Sequence, residues 1–183
     1  MKKHYLLCLW GLIILVALVS ANTAQGKEIT DMFGRKFSIA DKPQKVYSAS
    51  PPMTNLLYAI DPSMLAGLTV PIREYEKPYL RKEILSLPLL GGCYGQANTQ
   101  VMYNKLINID MILKVKPELI IIQKFGSAFH TRTNETVMKA VPAPVVAVNL
   151  TTVADYPEAL AFLGRLLGRE GRSGAMIPAS EAF

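Results

Sequence analysis

The residues able to do chemistry collect in the loops that follow apolar runs. Gly91-Gly92-Cys93-Tyr94-Gly95-Gln96 sets a thiol and a phenol ring in a glycine-rich turn. Tyr94 offers a flat face at low entropy cost, suited to stacking on a ring system. A plain surface turn is the alternative. Arg73 and Tyr75 follow the run Leu65 to Val70, and Lys124 and Phe125 follow Leu119 to Ile122. A cation beside an aromatic suits an anionic, ring-bearing ligand, although each also reads as a solvated side chain. Ser50 and Met53 belong to a third loop of this kind, Ser50 to Thr54, and are candidate ligand contacts.

Catalytic chemistry finds less support. His130 is the one histidine beyond the first 21 residues. It could ligate a metal or meet a carboxylate, but a lone histidine more often does neither. No second histidine or carboxylate stands at ligand spacing, so a structural zinc site is not expected. Cys93 paired with His130 would lack an orienting third group and an oxyanion hole. Gly126-Ser127-Ala128-Phe129 does not complete a nucleophile elbow. The expectation is a protein that is not an enzyme and needs no cofactor. Asp110 falls at the start of a short helical pattern, where a carboxylate favours the helix dipole.

The elements that must position these residues alternate. Val46 to Ser50 reads as a strand stopped by Pro51-Pro52. Met53 to Ile60 reads as a short helix with Thr54 as a candidate cap. Leu65 to Val70 and Leu87 to Leu90 read as further strands, and Arg73 to Ser86 as an irregular surface connection. Ile109 to Val115 is a helical turn or two, broken by Lys116-Pro117-Glu118. The unbroken Leu119-Ile120-Ile121-Ile122 predicts a strand buried on both faces, as in a parallel sheet. Asn134 to Ala140 reads as helix and Val145 to Val148 as another buried strand. Tyr156, Leu160, Leu163 and Leu167 make one face of an amphipathic helix. The alternation predicts an α/β fold with a mostly parallel sheet. In such sheets ligands bind at the carboxyl ends of strands, which is where the candidate loops lie.

The N-terminus reads as a signal for export. Lys2 and Lys3 precede an apolar stretch from Tyr5 to Val19, and Val19-Ser20-Ala21 supplies small residues for cleavage after Ala21. An uncleaved anchor is the alternative; Cys8 sits too early in the apolar run to be a lipidated cysteine. Cleavage would leave 162 of the 183 residues, enough for one domain. It would also remove Lys2 and Lys3, lowering the net charge from +6 to about +4. That balance lacks the clustering of a nucleic-acid binder. Half the residues are apolar, which excludes a disordered chain. Only Cys93 would remain, so no intramolecular disulfide can form, as suits a bacterial periplasmic domain.

In sequence order these segments resemble the solute-binding proteins of ABC importers for iron–siderophore chelates, haem and cobalamin. Ile29-Thr30-Asp31-Met32-Phe33-Gly34-Arg35-Lys36-Phe37 is similar to the family's opening hairpin with its D-x-x-G-R turn. Lys42 to Ser50 is similar to its P-x-R-V-V-x-x-S strand, and Thr54 to Ile60 to its T-E-x-L-x-A-L helix, with Asn55 in place of the glutamate. Leu65 to Thr69 resembles x-V-G-V-T. Asn108 to Ile121 resembles N-L-E-x-I-L-x-L-K-P-D-L-V-I. Asp155 to Ala159, with Leu163 to Glu170, resembles the approach to the helix between lobes.

The resemblance spans Ile29 to Glu170 and implies a fold of two α/β lobes joined by one helix. The expectation for this chain is a signal peptide over 1–21, one three-layer parallel-sheet lobe of a helical-backbone periplasmic binding protein over 22–170, and an irregular truncated tail over 171–183. The second lobe would be missing. The resemblance further implies a monomer that binds a ferric chelate and works with an inner-membrane permease and its ATPase. Haem, cobalamin or a nickel chelate are alternative cargoes. Tyr94 would face the ligand, and Asp110, one methylene shorter than the family's glutamate, would dock on permease arginines. A folded remnant that binds nothing is the alternative function.

Overall fold

A computed structural model describes residues 26–92, 107–124 and 139–180. The leader and its cleavage residue Ala21, together with Cys93, Tyr94, Phe125 and His130, lie outside the described residues.

The described residues begin with a hairpin. Strands β1 (Gly26–Thr30) and β2 (Lys36–Ala40) pair antiparallel, with Ile29 opposite Phe37. The Asp31 carboxylate closes the turn by accepting the backbone N–H groups of Phe33 and Arg35 at 3.0 and 2.9 Å. Gly34 completes it at φ +78°, a conformation that favours glycine.

Strand β3 (Val46–Ser48) pairs in parallel with β4 (Leu119–Lys124), and β4 with β5 (Val145–Asn149). Alternate residues of these strands enter two separate cores. Val46, Leu119, Ile121, Val146 and Val148 pack with helices α1 (Pro51–Ile60), α3 (Tyr156–Leu167) and α4 (Glu170–Ser180). Tyr47, Ile120, Ile122 and Ala147 pack on the other face with α2 (Ile109–Val115). The architecture is therefore three layers, with the β4 run buried on both faces as expected. The hairpin covers the outer edge of β5: Asp31 accepts from the Ala147 N–H at 3.3 Å, and Arg35 donates to the Val145 carbonyl. A covered edge cannot pair with another chain.

Three expectations need correction. Leu65–Val70 and Leu87–Leu90 are not regular strands; they make single parallel bridges, Leu65 to Val46 and Leu89 to Leu68. Pro71 and Pro88 remove backbone donors, and Gly67 lies directly under Leu90, where a Cβ would come within 2.4 Å of Leu90 Cγ. The cap of α1 is Ser50, not Thr54, with Pro51 and Pro52 opening the helix. Residues expected as an irregular tail form α4. It docks through Ser173, the one buried residue among its described side chains, and through the half-buried Met176 and Ile177. Gly164 of α3 meets Ser173 closely, and Gly168, at φ +64°, turns the chain between the two helices. Arg169 then pairs with Asp61 at 2.7 Å, beyond the end of α1.

Candidate functional site

The order of the parallel rows selects a site. From β3 the chain moves outward to the Leu65 row and on to the Leu89 row. It then returns through α2 to β4, on the opposite side of β3, and continues to β5. Open α/β sheets bind ligands at such a reversal, here outside the carboxyl ends of β3 and β4.

Gln123 and Ser50 lie at those strand ends. Gln123, 5 % exposed at the end of β4, accepts a hydrogen bond from the Ser50 hydroxyl at 2.9 Å. Its amide group donates to the Leu150 carbonyl just past β5. Ser50 itself is 2 % exposed and accepts from the Met53 N–H, which caps α1. One buried amide thus joins the ends of β4 and β5 to the start of α1. Beside it, the Thr54 hydroxyl donates to the Ser50 carbonyl at 3.0 Å and lies 3.2 Å from the Thr69 hydroxyl. The Tyr47 hydroxyl donates to the Gly91 carbonyl from inside the sheet. Gly92 passes so close to Ala49 that a Cβ would lie 2.8 Å from the Ala49 carbonyl oxygen. The glycine pair therefore lets the chain leading to Tyr94 press against the strand ends.

The candidate residues from the sequence are distributed unevenly around these strand ends. Ser50 lies at them, with its hydroxyl engaged in structural bonds. Met53 is fully buried in the core below α1, so its side chain serves packing. Arg73 and Tyr75 come together on the exposed turn after the Leu65 row. The Arg73 guanidinium bonds the Tyr75 hydroxyl and lies 5.8 Å from its ring, and the contact with Tyr75 holds the Arg73 pKa above its ordinary value. Lys124 ends β4. Asp110 is exposed in the first turn of α2, whose cap Asn108 accepts from the Met111 N–H.

Sequence reasoning did not assign a site role to Gln123 or to the Thr54–Thr69 pair. A polar residue directly after a four-residue apolar run was the available signal for Gln123. Among the described residues no cluster of histidine, cysteine or carboxylate side chains could hold a metal ion. No helix among them is long and apolar enough to cross a membrane.

No family model matches the chain, and neither does any curated protein. Solved structures do match it. An ABC transporter solute-binding protein from Sulfurospirillum deleyianum aligns over 82% of this chain and 45% of its own, at 24% identity and a TM-score of 0.70. A siderophore-binding protein bound to two acinetobactin molecules and ferric iron aligns over 86% of this chain and 51% of its own, at 16% identity and 0.59. The molybdate-binding periplasmic protein MolA of Haemophilus influenzae aligns over 84% and 50%, at 15% identity and 0.60. The chain spans about half the length of these proteins. At such identities the likeness concerns the fold: the described residues have the fold of one α/β half of a periplasmic solute-binding protein of the ABC-transporter kind.

Proposed function

We propose that this chain is the ligand-binding lobe of the periplasmic component of an ABC importer for a metal chelate, foremost an iron–siderophore complex. The observation that carries the reading is the reversal of strand order, with the buried Ser50–Gln123 hydrogen bond at the carboxyl ends of β3 and β4 and the Arg73–Tyr75 pair on the turn after the Leu65 row. Ser50 and Gln123 are neutral and hydrogen-bonded, a rigid base suited to holding a ligand. The exposed arginine on the turn after the Leu65 row favours an anionic cargo. The cargoes of the matched structures, an iron–siderophore complex and molybdate, suit the same class. Haem, cobalamin and nickel chelates remain within it.

The function is capture and delivery without bond chemistry. Ferric iron would be cargo, and no resident cofactor is required. Tyr94, Lys124 and Phe125 would complete the ligand contacts from the loops after the Leu89 row and β4. The leader ending at Ala21 would direct export to the periplasm. Asp110, exposed on α2, would steer the lobe onto the basic surface of a permease.

One lobe offers one wall of a cleft, so binding by the 183-residue chain alone is expected to be weak. Calorimetric titration with ferric siderophores, haemin and cobalamin tests the proposal. Saturable binding of one of them, with a Kd of about 10 µM or weaker, is expected. No binding of any at millimolar concentration overturns the ligand-binding reading, and nanomolar binding overturns the single-wall account.

A further inference from the structure

Counting protons at the carboxyl ends of β3 and β4 leaves one hydrogen-bond donor over. The Gln123 side chain carries two N–H groups and one carbonyl oxygen. The Leu150 carbonyl can only accept, so the amide atom that meets it is Nε2, and Oε1 takes the Ser50 hydroxyl. This uses one of the two N–H groups. Among the described residues no other acceptor lies within hydrogen-bond distance of Nε2. Gln123 is 5 % exposed, and a buried donor without an acceptor is costly. A native fold satisfies such a group with something outside the chain: water, an ion or a ligand.

The place favours a negatively charged partner. The amide is bonded to Ser50, the cap of α1, and the dipole of that ten-residue helix stabilises negative charge at this end. A helix end normally meets an anion with its own free N–H groups. The first turn of α1 has none to give. Pro51 and Pro52 carry no N–H, the Met53 N–H goes to the Ser50 hydroxyl, and the Thr54 N–H goes to the Ser50 carbonyl at 2.9 Å. The donor beside this helix end is therefore the second N–H of Gln123. Ser50 on one side and Leu150 on the other fix the amide, so it meets a ligand already oriented.

We infer that the second amide N–H of Gln123 donates to a negatively charged oxygen of the ligand, as in a carboxylate, held at the N-terminus of α1. The inference deepens the proposed chelate-binding function and rests on it for the identity of the ligand. A charged acceptor makes the stronger hydrogen bond. A fixed, buried donor also rejects a ligand that presents a methyl or an N–H group at the same point. Gln123 would thus set which group of the cargo lies against the strand ends.

The test reads the Gln123 side-chain amide by NMR in the isotope-labelled full chain. Its two protons give separate signals, identified by their loss in Gln123→Met. Gallium(III) citrate, which carries carboxylate oxygens, is the probe. It is expected to move the proton not bonded to Leu150 downfield and saturably, and to leave the other near its position. Gln123→Met removes the donor at similar volume and should bind the complex about tenfold or more weakly. If that variant does not fold, the proton shift in the natural chain decides. Binding of the complex with the second proton unmoved overturns the inference and leaves the chelate reading standing. So does a trapped water that stays on that proton while the complex is bound. Acetate distinguishes the opposite failure. If no gallium complex binds but acetate moves that proton saturably, the chelate reading fails and the donor site stands. If neither moves it, the inference fails.

Discussion

Gln123 holds three elements with one amide, which makes it the residue whose loss should be felt most widely. Gln123→Leu would leave the Ser50 hydroxyl and the Leu150 carbonyl without their partner inside the fold. The expected loss is about 2–3 kcal/mol in urea unfolding, since buried polar groups pay their full desolvation once unpaired. Ser50→Ala removes the α1 cap and one partner of Gln123, and should cost about 1–2 kcal/mol. Asp61 supplies a pH signature. Burial alone would raise its carboxyl, but hydrogen bonds from Ser63 and Arg169 outweigh this and hold the pKa below the ordinary value. A depressed folded pKa stabilises the fold above the unfolded value, near 3.9, and that contribution disappears as pH falls through the folded pKa. The stability gap between the natural chain and Asp61→Asn should therefore be widest above about pH 5 and narrow below about pH 4. A gap independent of pH would show that the contacts with Ser63 and Arg169 do not favour the ionised carboxylate. At this scale the sequence was only partly legible. Arg73 and Tyr75 can be paired from their spacing, whereas the partners of Gln123 and Asp61 lie 73 and 108 residues away.

The elements themselves were easier to read where one local signal sufficed. Asp31 and Gly34 announce the turn between β1 and β2, the Leu119 run announces β4, and the Tyr156 stripe announces α3. Each rests on hydrogen bonds or periodicity within about ten residues. Helix α4 has no such signal, since Gly171, Gly174 and Pro178 oppose it and only docking against α3 and α1 sustains it. The Leu65 and Leu89 rows misled in the opposite sense: β-rich composition met prolines that cut the ladder short. The α3–α4 contact gives a direct test. Gly164→Ala would place a methyl 2.0 Å from Ser173 Oγ and 3.1 Å from Glu170 Cα. Alanine's better helix propensity returns up to about 1 kcal/mol, against about 1–3 kcal/mol for overpacking. Thermal unfolding should therefore show net destabilisation, partly relieved by Ser173→Gly. The hairpin gives another. Asp31 has no exposed side-chain surface and serves Arg35 and three backbone N–H groups. Asp31→Ala should cost about 2–4 kcal/mol and speed amide exchange along β5.

On the scale of the whole molecule, the decisive feature is the order of the parallel rows. Composition and periodicity predicted a parallel sheet, but only the return of the chain from the Leu89 row to β4 places the reversal between β3 and β4. Local signals cannot encode that reversal, because it depends on which strands pair across some 70 residues. The resemblance to binding proteins anticipated a parallel-sheet lobe, and the matched structures have that fold over about half of their length. The central claim is that these strand ends receive a metal chelate. NMR mapping of the full chain with a gallium(III) siderophore complex, a diamagnetic substitute for the ferric one, tests it most directly. Saturable shifts at Ser50, Thr54, Arg73, Gly92 and Gln123 are predicted. Shifts confined to the opposite strand ends, at Gln44 and Glu118, or no shifts at millimolar complex, would contradict it.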